Sequence, residues 1–190
     1  MIWHDHSAKV PDGAHAVLSA SKYHWLDYSD DQLTKYYINS KAAQRGTELH
    51  ALAAELIRKK IEVKGRDTFA MYVNDAIRYR MIPELKLWYS PMCFGTTDAI
   101  AYSEKKRTLR IHDLKSGVSP ASMKQLYVYA GLFFLDYNIK PEQCKTILCI
   151  YQNDQISCEE PDPMTLHTTI DRIKYCSTYL SKLDSEGVYE

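Results

Sequence analysis

The feature that most constrains this chain is a pair of carboxylates fifteen residues apart, each at the end of an apolar, strand-like run. Met92-Cys93-Phe94 leads into Gly95-Thr96-Thr97-Asp98, and Leu109-Arg110-Ile111-His112 leads into Asp113-Leu114-Lys115. Between them, Ser103-Glu104-Lys105-Lys106-Arg107 is polar and reads as a hairpin turn. Folding that turn pairs the two strands and lets Asp98 and Asp113 meet at one spot. Lys115 stands one pleat beyond Asp113 and so on the same face of its strand. Two converging acids suit a hard divalent cation, and a lysine beside them can hold a water or a phosphate oxygen. Such a set is the minimum for hydrolysing a phosphodiester.

At 190 residues, 45% of them hydrophobic, the chain can bury one sizeable core, and a single domain over 1–190 is expected. Met1-Ile2-Trp3-His4-Asp5-His6 is polar and no apolar run reaches membrane-spanning length. No signal peptide, no membrane association and a cytoplasmic location are therefore expected, with His4 and His6 as surface residues. Cys93, Cys144, Cys149, Cys158 and Cys176 are odd in number, irregularly spaced and contain no CxxC pair. Buried free thiols are expected, and neither zinc nor a disulfide framework. Net charge is zero, but from Gln152 onward three basic residues face eight acidic ones, leaving twenty-one against sixteen in the rest. Any nucleic-acid surface must then be a local groove and not a global field.

Hydrophobic spacing predicts a short helix near 19–26, a second opening at Ser29 as N-cap, and a third after Gly46-Thr47 carrying Leu49, Leu52, Ala53, Leu56 and Ile57. Asp67 caps the next, and Pro83 ends that helical region. Strands are predicted at 85–89, 94–102, 108–114 and 146–151, with helices over about 120–137 and 164–183. The order implies an α/β core with a mixed central sheet flanked by helices.

This order and its motifs resemble the PD-(D/E)XK nuclease superfamily, in particular its RecB-like exonuclease branch. Gly46-Thr47-Glu48-Leu49-His50 is similar to the first motif, Gly95-Thr96-Thr97-Asp98 to the second, and Asp113-Leu114-Lys115-Ser116-Gly117 to the third. Gln125-Leu126-Tyr127-Val128-Tyr129 matches the QxxxY motif of this branch, and the run from Ala16 through Trp25-Leu26 is similar to the leading segment of phage-encoded members. The resemblance implies a restriction-endonuclease-like core, with an N-terminal helical segment over 1–45, a catalytic core over 46–151 and a C-terminal helix within 152–190.

By that resemblance, His50, Asp98, Asp113 and the carbonyl of Leu114 would ligate Mg²⁺ or Mn²⁺, with one metal or two left open. Lys115 would orient the attacking water, and Gln125 and Tyr129, four apart on one helix face, would position the DNA backbone or the lysine. Glu84 is similar to an acid found upstream of the second motif, and a solvated strand-edge glutamate is the competing reading. Lys41, Arg45, Lys105, Lys106, Arg107 and Lys124 are candidates for phosphate contact. Related nucleases hold an iron–sulfur cluster with one cysteine upstream of the first motif. No cysteine here precedes Cys93, so no such cluster is expected. The implied activity is a metal-dependent DNA exonuclease for end processing or recombination, of phage-encoded type. DNA is the implied partner, with a single-strand annealing or single-strand binding protein as a further one. A structure-selective endonuclease and a non-cleaving DNA-end-binding module in a recombination or anti-defence complex stay open, as does the oligomeric state.

Overall fold

The computed structural model describes residues 8–9 and 16–187, so His4, His6 and His15 lie outside the described residues. The helices are α1 (Asp30–Lys59), α2 (Thr68–Arg78), α3 (Lys124–Asp136) and α4 (Pro163–Ser185). The strands are β1 (Ile82–Ser90), β2 (Cys93–Ser103), β3 (Thr108–Leu114), β4 (Lys145–Gln152) and β5 (Gln155–Glu159). The chain divides into two compact units, 1–45 and 46–190, and the division falls within the span of α1.

In the first unit, a 3₁₀ segment (Ala20–Asp27) is tied by the Trp25 indole N–H to the Ser19 carbonyl at 3.0 Å. Ser29 caps α1 reciprocally: its Oγ accepts from Gln32 N–H at 3.3 Å, and Gln32 Oε1 accepts from Ser29 N–H at 2.8 Å. Tyr23 and Tyr37 are 58% and 52% exposed, so they form no core here. The predicted break before Gly46 is absent, and α1 runs through it. A mid-helix glycine costs about 1 kcal/mol relative to alanine, too little to end a long helix. Gly46 has another use, since a Cβ there would stand 3.1 Å from Ser116 Oγ.

In the second unit, the five strands lie in the order β1-β2-β3-β4-β5, a mixed sheet with only the β3–β4 pair parallel. Parallel neighbours need a crossover, which α3 supplies. Strand alternation sorts the core into two layers. Leu109 and Ile111 of β3 and Leu148 and Ile150 of β4 pack with Leu126, Ala130 and Phe133 of α3 and Leu166 and Ile170 of α4. Leu114, Ile147, Cys149 and Tyr151 point the other way, onto Ala53 and Ile57 of α1 and Tyr72, Val73 and Ala76 of α2. Fully burying an aliphatic side chain of this kind stabilises by about 1.5–3 kcal/mol. The expected mixed sheet with flanking helices is present. Among the described residues, no helix is long and apolar enough to cross a membrane.

The 103–107 hairpin closes as expected, with Ser103 opposite Thr108 and Arg107 N–H bonded to the Glu104 carbonyl at 3.2 Å. Asp67 caps α2 through Ala70 N–H at 2.8 Å. Three expectations need correction. Pro83 does not end a helix: α2 stops at Arg78, and Pro83 sits inside β1, an edge strand where a missing N–H is tolerated. The segment after Gln152 holds a fifth strand, β5, whose five residues are all exposed and whose alternation, Ile156 and Cys158 between polar neighbours, is too short to stand out. Not all cysteines are free: Cys149 and Cys158, opposite one another on β4 and β5 with Cα atoms 4.2 Å apart, form a disulfide. Cys93, Cys144 and Cys176 are free but only half-buried. Without β5 in view, nothing in the spacing brings Cys158 to Cys149.

Reductant should lower stability by about 2 kcal/mol, the usual scale for one disulfide. Thermal melts with and without dithiothreitol would show it, and Cys158→Ser should melt low and ignore the reductant.

Candidate active site

The register between β2 and β3 sets Ala99 opposite His112, so the next step outward sets Asp98 opposite Asp113. There the ladder gives way to side chains. Leu114 N–H donates to Asp98 Oδ2 at 2.9 Å, and Asp98 Oδ1 lies 3.2 Å from Nδ1 of His50 on α1. Asp113 is 2% exposed, and Lys115 Nζ stands 3.1 Å from its Oδ1 and 2.9 Å from its Oδ2. Burial, then the charge of Asp98, pushes the Asp113 carboxyl up to about 6 against the pull of Lys115. The hydrogen bond to Asp98 raises His50 above its ordinary value, against the opposing effect of its own burial.

The lysine is held from its far side. Lys115 Nζ donates to Gln125 Oε1 at 2.9 Å, and Gln125 Nε2 donates to Tyr129 Oη at 3.0 Å. The QxxxY residues thus form a polar line from α3 to the lysine and on to Asp113. Gly95 makes room for the end of that line, because a Cβ there would stand 2.9 Å from Tyr129 Cε1. The connection from Lys115 to α3 is fastened too. Gln152 Nε2 donates to the carbonyls of Gly117 at 2.5 Å and Ser119 at 2.8 Å, and its Oε1 accepts from Ala121 N–H at 3.1 Å. Lys115 N–H meets the Tyr151 carbonyl at 2.9 Å.

His50, Asp98, Asp113, Leu114, Lys115, Gln125 and Tyr129 are therefore brought together, Leu114 through its N–H. Glu84 falls opposite Asp98, between the Pro83–Ala99 and Leu85–Thr97 pairs, with a left-handed φ of 54°. A non-glycine residue in that region is strained, which marks an irregular point beside the acids. Its carboxylate is taken by Arg58 Nη2 at 2.6 Å, and both side chains are about half exposed. Lys124, at the start of α3, instead lines a cleft with Thr168 and Arg172 of α4. Lys41 and Arg45 are exposed residues of the first unit, and Lys41 Nζ donates to Gln44 Oε1 at 3.3 Å. The sequence did not mark Tyr72 as a neighbour of the site; that side chain is buried on α2 and raised by burial and by the charges of Asp98 and Asp113. Nor did it point to Arg58.

Among the described residues, no three His, Cys, Asp or Glu side chains are gathered into a ready-made metal cage. The donors stand as two pairs, His50 with Asp98 and Asp113 with Lys115. Their chemistry still suits a divalent cation, since Asp113 is a buried carboxylate held by Lys115 alone on its strand and the nearby charge of Asp98 raises the cost of ionising it.

No family model and no curated protein matches the chain. Among solved structures it is similar to the crystal structure of SSO0001, with 14% identity and a TM-score of 0.39 over 83% of this chain and 68% of that one.

The Gly95–Tyr129 contact is open to a double-mutant cycle read by urea unfolding. Gly95→Ala should cost about 1–3 kcal/mol in the natural chain, the scale of overpacking against a rigid ring. In a Tyr129→Ala background the same change should cost close to nothing, which makes the coupling direct.

Proposed function

We propose that this protein is a metal-dependent DNA exonuclease of the RecB-like PD-(D/E)XK type, built on that superfamily's core and acting in DNA end processing or recombination. One observation carries the reading: Tyr129, Gln125, Lys115 and Asp113 are joined by hydrogen bonds in that order. Two motifs ten residues apart on different elements thus act on one ammonium group. A surface lysine needs no such holding, whereas one that must meet a reacting phosphate does.

His50, Asp98, Asp113 and the Leu114 carbonyl would hold Mg²⁺ or Mn²⁺, with no part for zinc or an iron–sulfur cluster. The bound cation supplies charge neutralisation and a water made easier to deprotonate. Asp98 keeps its geometry through Leu114 N–H, which fixes one oxygen and leaves the other turned to His50. Lys115 offers its remaining donor capacity to the attacking water or to the charge that grows on the scissile phosphate. Gln125 and Tyr129 act through the lysine and are positioning residues. DNA ends reach the site either free or delivered by a single-strand annealing or single-strand binding protein.

The test sets end-labelled linear DNA beside covalently closed circles, with Mg²⁺, Mn²⁺ or EDTA. Metal-dependent loss of the linear substrate alone is expected. Lys115→Ala should lose about 10²–10³-fold in rate, the scale for removing one electrostatic stabiliser. Asp113→Ala should lose at least as much, and Gln125→Ala less than either. Nicking of the circle would move the reading to an endonuclease, and binding without cleavage would move it to a DNA-end-binding module. Independently of cleavage, Mn²⁺ should raise the melting temperature of the natural chain by mass action and leave that of Asp113→Ala unchanged.

A further inference from the structure

At the other end of the sheet lies a cleft of about 670 Å³ with an unusual wall. Its floor is one row across three strands, with Ala101 opposite Arg110 and Arg110 opposite Ile147. Five cationic side chains line it: Arg78 at the end of α2, Arg80 just after, Lys106 of the hairpin turn, Arg110 of β3 and Lys145 of β4. No acid does. The chain carries twenty-four basic and twenty-four acidic residues, so an even sampling would have put two or three carboxylates among five charges. Lys145 is paired with Glu160 at 2.8 Å, outside the lining. The other four have no carboxylate partner among the described residues.

This cleft is not an extension of the acidic site. Arg110 and Asp113 are three residues apart on β3, hence about 10 Å along the strand and on opposite faces of the sheet. The cations are also prepared and not merely gathered. The Arg110 guanidinium lies 4.1 Å from the centre of the Tyr79 ring and that of Arg78 lies 5.6 Å from it. An aromatic face of this kind orients a guanidinium fork and leaves its edge N–H groups for a ligand. Like charges crowded in one concavity repel unless an anion joins them. A single carboxylate would satisfy one or two of them; a chain of phosphates satisfies the row.

We propose that this cleft is a second nucleic-acid contact, binding the sugar–phosphate backbone of DNA at a place separate from the acidic site. The choice of DNA over another phosphate chain rests on the nuclease reading, while the anion site itself does not. Its grip is electrostatic and indifferent to base sequence, so it serves retention of the substrate and not selection.

Fluorescence anisotropy of a labelled duplex with a single-stranded overhang, titrated with the full chain in EDTA at several salt concentrations, tests this apart from cleavage. The variant is Arg78→Gln, Arg80→Gln, Lys106→Gln together, all exposed residues, with Arg110 and Lys145 left in their contacts. Loss of three phosphate contacts should weaken binding about tenfold or more and flatten the slope of log Kobs against log salt by about 2–3. If the triple variant melts low, Lys106→Gln alone should still flatten the slope by about 0.9. Unchanged affinity and slope would overturn the proposal, as would a natural chain that binds no DNA. Polyglutamate displacing DNA as readily as inorganic polyphosphate does would also overturn it, by making the ligand an acidic protein. DNA binding with the expected slope but no metal-dependent cleavage would leave the cleft standing and sink the nuclease reading, so the two fail separately.

Discussion

The buried carboxylate of Asp113 is the constraint around which the rest of the second unit is arranged. An ion at 2% exposure costs several kcal/mol unless something nearby compensates it. Lys115 does so in part, and the carboxyl still sits near 6, so the compensation is incomplete by design of the neighbourhood. Holding the lysine in place requires Gln125, holding Gln125 requires Tyr129, and seating Tyr129 requires that residue 95 lack a side chain. Each step moves further from the acid and becomes more a matter of packing than of charge. The chain of dependence ends in α3, whose Leu126, Ala130 and Phe133 are buried in the larger core layer.

The sheet topology explains why α3 is available for this. β3 and β4 are the parallel pair, so the crossover between them must leave from the C-terminal end of β3, directly after Lys115. The first turn of the crossover helix therefore arrives beside the lysine without any long-range search. Gln152, at the matching end of β4, fastens the outgoing loop through three hydrogen bonds.

What could be read from the residues was what local spacing decides. Asp98, Asp113 and Lys115 were legible because the register of a hairpin is set by its turn, and the Ser103–Thr108 closure fixes every partner outward from it. The strands, α3 and α4 were legible through alternation and helical spacing. What escaped depends on contacts across the chain. β5 is short and exposed, with only Ile156 and Cys158 apolar, and it survives by pairing with β4 and through the Cys149–Cys158 bond, neither of which its own residues announce. Gly46 read as a helix start when its smallness answers to Ser116, seventy residues later. Pro83 read as a stop because proline ends helices, yet at the outer edge of a sheet it costs no ladder bond. Lys124 carries the same charge as Lys115 and stands next to Gln125, but one step along a helix turns it by about 100° and points it toward α4.

The distribution of charge adds a consequence for the proposed activity. The Asp98–Asp113 end of the sheet gathers acids that a polyanion would avoid, while the Arg78–Arg110 end gathers cations that it would seek. Under the nuclease reading, nucleic acid is held at the cationic end whatever the state of the acids, and approaches the acidic end only as divalent cation neutralises it. Cation and phosphate backbone then favour each other's binding, and the coupling is reciprocal: whatever factor the cation adds to DNA affinity at the acids, DNA adds to cation affinity there. With net charge zero and the fields of exposed charges screened beyond a Debye length, such local pairing of opposite surfaces orders the encounter.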